Sequence, residues 1–123
     1  MITEDYVSFE VAKLLKGKGF DENTYACFSN DGKETYYGYR AVGDDIMRPT
    51  LQMAMKWLRE KYHIHISPYQ ATITLWDFQL FNLLKTDTMG CKPISRPHLT
   101  KYYSKTCEEA CEMAIKYCLE NLI

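Results

Sequence analysis

The chain has 123 residues, 46% of them apolar and 25% charged, with a formal net charge of −1. That length suits one domain with a self-sufficient core, and the near-neutral balance removes the electrostatic argument for a nucleic-acid binder or a membrane-surface protein. The acidic start "MITEDYVSFEV", an odd count of five cysteines and the lack of any apolar run of about 18 residues point to a cytoplasmic protein with free thiols.

The first element reads as a helix. Val7, Val11, Leu14 and Leu15 recur on one helical face, Ser8 suits the N-cap, and the glycines of "KGKGF" end it. Next, "TYACFSN" and "KETYYGYR" read as two strands joined at Asp31-Gly32, a pair that suits a tight primed turn. Tyr37 and Tyr39 share one face of the second strand and form an aromatic patch. "AVGDDIMR" reads as a loop, with Asp44 and Asp45 as solvated acids.

A second helix begins around Pro49 in "RPTLQMAMKWLREKY". At about 100° per residue, Leu51, Ala54, Met55, Leu58 and Tyr62 form its apolar arc. Met53 and Trp57 stand outside that arc, one turn apart. They are either a broadened core face or the contact surface of an interface, including that of a symmetric homodimer.

"HIHI" alternates as a strand, and "SPYQ" reads as a turn around Pro68. "ATITLWDFQLFNLL" reads as one or two strands, with a break in parity near Leu75 and Trp76. "KTDTMGCKPISRPH" reads as a loop and "LTKYY" as a short edge strand. Lys92, Arg96, Lys101 and Lys105, interleaved with tyrosines, are the weak candidates for holding a nucleic-acid backbone. Thr106 followed by Glu109 is a capping box that opens the last helix.

Cys107, Cys111 and Cys118 fall on one face of that helix with Ala114, opposite Glu112, Lys116 and Glu120. Cys107 and Cys111 with His63 and His65 would give four donors for zinc, but there is no second cysteine pair. A buried stripe is the simpler reading, so neither metal nor cofactor is expected. No phosphate loop, nucleophile elbow or zinc-protease motif occurs, and no catalysis is expected.

The expected fold is α+β: one antiparallel sheet of about four to five strands packed against three helices, in the order α-ββ-α-ββ(β)-α. "MAMKWL" and "MAIKYCL" echo one another and suggest a ββα pseudo-repeat. The segments "DYVSFEVAKLLKGKGF", "PTLQMAMKWLRE" and "EEACEMAIKYCLENLI" resemble a group of short uncharacterised proteins of anaerobic gut bacteria, often found in prophage-like or other mobile regions. The resemblance implies a bacterial accessory protein and carries no functional residue with it. The expected role is binding of a protein partner or of itself, without catalysis and with no small-molecule ligand to name.

Overall fold

Three helices form where apolar spacing and capping agree. The computed structural model describes residues 2–38, 42–87, 90–96 and 102–123. Helix α1 spans Phe9–Gly17, and the Ser8 hydroxyl accepts the Val11 N–H at 3.3 Å. Helix α2 spans Leu51–Tyr62, with Thr50 accepting from Met53 N–H at 3.1 Å. His63 ends α2 in the left-handed region (φ 59°), a position usually left to glycine. The strand expected at His63 therefore starts one residue later.

Helix α3 spans Cys107–Asn121, and the Thr106 hydroxyl accepts from Glu109 N–H at 3.0 Å. The Glu109 carboxylate turns back to Lys105 N–H at 3.1 Å, a capping box displaced by one residue.

The strands divide into two antiparallel sheets of three, where the sequence suggests one larger sheet. The first contains β1 (Ala26–Phe28), β2 (Thr35–Tyr37) and β3 (Ile46–Arg48), in the order β2-β1-β3. "DDIMR", expected as loop, thus supplies a strand. Three residues are too few to display a period of two, and Ile46–Arg48 is a strand only because β1 offers it a free edge.

The turn between β1 and β2 is wider than the expected tight turn. Ser29 N–H reaches Glu34 O at 2.9 Å, closing a six-residue loop over 29–34. Only Gly32 has a positive φ there, so the primed turn, which needs two such residues, does not form. Gly32 is needed because a Cβ would lie 2.6 Å from the Phe9 ring.

The second sheet contains β4 (Ile64–Gln70), β5 (Trp76–Asp87) and β6 (Gly90–Pro93), in that order. "SPYQ" belongs to β4, and the turn lies over 71–75, closed by Ala71 N–H to Leu75 O at 2.9 Å. The break expected near Leu75 and Trp76 is where this turn gives way to β5; part of the expected loop after Lys85 is strand, and a further irregularity falls between Asn82 and Thr86. Most of the expected "LTKYY" strand lies outside the described residues. Beyond it, Ser104 forms an isolated bridge with Trp76.

The ββα pseudo-repeat does not hold. The first sheet places its first strand centrally and the second its middle strand, so the two units differ in topology. One contiguous apolar cluster draws on all three helices and both sheets, with Leu15, Leu58, Phe78, Leu80, Ile115 and Leu119 among its buried members. Helix α3 lies across β4 and β5 and touches α1 and α2. Among the described residues no helix is long and apolar enough to cross a membrane.

Candidate interaction face

The helix flank singled out by Met53 and Trp57 is core. Trp57 is only 7% exposed, and its ring meets Phe20 at 5.4 Å and Tyr62 at 5.3 Å, both edge-on. Lys61 Nζ lies over the indole face, 5.5 Å from the ring centroid. Met53 is half-buried against the same cluster. Of the two readings of this pair, the broadened core is the one realised. Phe20, in the coil after α1, is what extends the core to that flank.

The thiols sort by depth. Cys27, Cys111 and Cys118 are buried, while Cys91 and Cys107 are half-exposed. Burial pushes the Cys118 thiol up to about 12, and burial with the neighbouring Cys107 pushes Cys111 up to about 12. Cys107 is thus less sealed than the stripe suggests. No cluster of three or more metal-binding side chains occurs among the described residues.

Of the basic set, Lys101 lies outside the described residues, Lys92 and Lys105 are exposed, and Arg96 is not a surface cation. Its side chain is 3% exposed and meets the equally buried Asp77 carboxylate at 2.5 Å. The guanidinium stacks 3.9 Å above Phe78 and 5.3 Å from Tyr102. Arg96 also donates to Phe78 O at 2.5 Å, and Asp77 accepts from Phe78 N–H at 2.8 Å. On the same edge of β5, Leu80 O accepts from Ile94 N–H, and Trp76 exchanges two bonds with Ser104. The ion pair therefore stands in for a strand at the one position between those bridges. Arg96 is withdrawn from any phosphate-binding role.

Tyr37 does lie in an aromatic cluster. Its ring is 6.0 Å from Tyr6 and 6.1 Å from Tyr25. Arg48 binds this group together. Its Nε donates to Val7 O at 2.9 Å, its guanidinium lies 4.6 Å from the Phe28 ring and 5.5 Å from Tyr6, and Nη1 reaches Tyr37 Oη at 3.4 Å. Gly38 has a φ of 76°, in the region that favours glycine, and a Cβ there would meet the Tyr25 ring only at ordinary contact distance, 3.5 Å. Tyr25 remains 65% exposed, Tyr37 48% and Tyr36 37%. Tyr39, the expected partner of Tyr37, lies outside the described residues; Tyr6 and Tyr25, which sequence reasoning missed, are the neighbours instead. They are distant in sequence, and no local period links them to Tyr37.

This cluster borders an open strand edge. Gly38 N–H donates to Tyr25 O and Ser29 N–H to Glu34 O, which fixes the alternation of the ladder. Even-numbered residues of β2 bond to β1, and the N–H and C=O of Thr35 and Tyr37 point away from the sheet. No described residue pairs with them.

The other outer edges are blunted. Leu83 N–H to His63 O sets the phase of β4 so that Pro68 faces outward, where it offers no donor. Pro93 faces outward from β6, beside Lys92. The chain around Tyr6 crosses the end of β3, with Tyr6 bridging Thr50 and Val7 N–H donating to Pro49 O. Thr35–Tyr37 carries neither proline nor charge. Comparison with protein-family models, curated proteins and solved structures finds no match.

Proposed function

We propose that the protein is a non-catalytic interaction module whose contact surface is the outer edge of β2 together with the Tyr6, Tyr25, Tyr37 and Arg48 cluster. The observation that carries this reading is the contrast between edges: those of β4 and β6 have outward prolines, while the two outward N–H and two outward C=O groups of β2 have no partner among the described residues. Such an edge accepts an extended segment as an added strand, with the backbone giving affinity and flanking side chains giving selectivity. Tyrosine and arginine are the residue types enriched at the energetic centres of protein contacts. Arg48 is already fixed by Val7 O and the aromatic rings, so little side-chain freedom is lost on binding.

The test is site-specific photocrosslinking in living cells. p-Benzoylphenylalanine replaces Tyr25 in one variant and Leu84, which is 72% exposed on the other sheet, in a second. A discrete polypeptide adduct from position 25 and none from position 84 supports the reading. No adduct from position 25, or the same adducts from both, overturns it.

A further inference from the structure

The partner strand can be specified further on the same reading of the open edge. We infer that β2 pairs with β2 of a second copy of this chain, antiparallel, about a two-fold axis through Tyr36. The register follows from the ladder phase. The outward groups belong to Thr35 and Tyr37, two positions apart. A two-fold axis at Tyr36 sets Thr35 against Tyr37 of the partner and Tyr37 against Thr35 of the partner. Each of these is a hydrogen-bonded pair, so all four outward groups of each copy are satisfied. An axis at Thr35 would instead face Thr35 with its own copy and set Tyr37 against Lys33, outside the strand.

The side chains agree with the register. Tyr36 meets its own copy as a non-hydrogen-bonded pair, where Cα atoms come within about 4.5 Å and aromatic pairs are favourable. Charge is compatible with self-pairing as well. The strand Thr35–Tyr37 is neutral, and Glu34, the nearest acid, falls opposite Gly38 of the partner instead of opposite itself. On the opposite face, that of Tyr37, two copies of the Tyr6, Tyr25 and Tyr37 cluster come toward one seam. A strand of three residues makes a small contact, so the dimer is weak, with dissociation in the range of roughly 10 µM to 1 mM.

Sedimentation equilibrium of the full chain across that range tests the inference. The wild type moves from one chain mass toward two. Tyr36→Glu places two carboxylates face to face on the axis, each beside the Glu34 carboxylate that Tyr36 now bonds, and weakens association at least tenfold. Thr35→Pro removes an outward N–H that no described residue uses, and it abolishes association. Circular dichroism and the melting temperature verify that each variant is folded; should Thr35→Pro fail to fold, Tyr36→Glu still decides, because Tyr36 is exposed. A wild type that stays monomeric to about 1 mM, or a Tyr36→Glu variant that associates like the wild type, overturns self-pairing. The two readings fail separately. A different polypeptide crosslinked at position 25 with a monomeric chain preserves the interaction module and sinks the homodimer, whereas no adduct and no association sinks both.

Discussion

Arg96 and Asp77 act on the backbone of Phe78 as a neighbouring strand would, one taking its carbonyl and the other its N–H. Neither charge has solvent to fall back on, since both side chains are at most 3% exposed. Removing either one breaks the buried pair and leaves the other charge less compensated in the interior, at a cost of about 3–5 kcal/mol. Arg96→Met and Asp77→Ala should each show that loss in urea unfolding. The double variant should lose less than the two singles added, with a coupling of about 0.5–3 kcal/mol. Additive losses would mean that the two side chains act independently. The buried thiols make a second prediction. Cys118 is held up to about 12 by burial, against an ordinary value of 9.0. The folded state keeps a proton that the unfolded chain releases, so this contribution is whole below about pH 9 and shrinks as pH rises toward 12. Unfolding free energy measured from about pH 8 to 11 should fall by up to about 1.4 kcal/mol per pH unit for this thiol. Cys118→Ala should flatten the slope by that amount, and an unchanged slope would place the alkaline loss in other groups.

At the scale of elements, the helices and the β1–β2 hairpin are readable in the sequence, and β3 is not. Ser8 and Thr50 cap α1 and α2, Thr106 opens α3, and each apolar arc lies on the core. Capping and a 3.6 period are local signals that survive without knowledge of the partner surface. The aromatic-rich segments around Asp31-Gly32 mark β1 and β2, whereas β3 has three residues, too short for alternation, and its identity comes from pairing with β1. Pro68 was misread for a related reason. A proline signals a turn unless its missing N–H faces outward from an edge, and that depends on a register set by β5. The aromatic cluster is half legible: Tyr37 stands out, but Tyr6, Tyr25 and Arg48 come from other parts of the chain. Trp57 shows the limit of a helical wheel, because Phe20 lies on no helix. Trp57→Ala should therefore cost about 3–5 kcal/mol of unfolding free energy, the range for emptying an aromatic core site. A loss below about 1 kcal/mol, the usual scale for a surface substitution, would return Trp57 to the surface.

For the molecule as a whole, paired and unpaired backbone should separate in hydrogen exchange. Helix α3 lies at the junction of α1, α2 and the second sheet, and β5 is bonded on both sides. Amides of Ala114, Ile115, Cys118 and Leu119, with that of Phe78, should open only with global unfolding, since all are buried in one cluster. The β2 strand should behave differently from one residue to the next. Tyr36 and Gly38 turn their N–H groups to β1, whereas Thr35 and Tyr37 turn theirs outward. In dilute solution Thr35 and Tyr37 should exchange near the rate of an unprotected amide while Tyr36 and Gly38 are slowed. Raising the protein concentration should slow Thr35 and Tyr37 selectively, because self-pairing adds bonds at those two positions and at no other in the strand. Protection of Thr35 and Tyr37 that is already complete at low concentration would mean that the chain covers this edge itself, and an edge so covered has nothing to offer a partner.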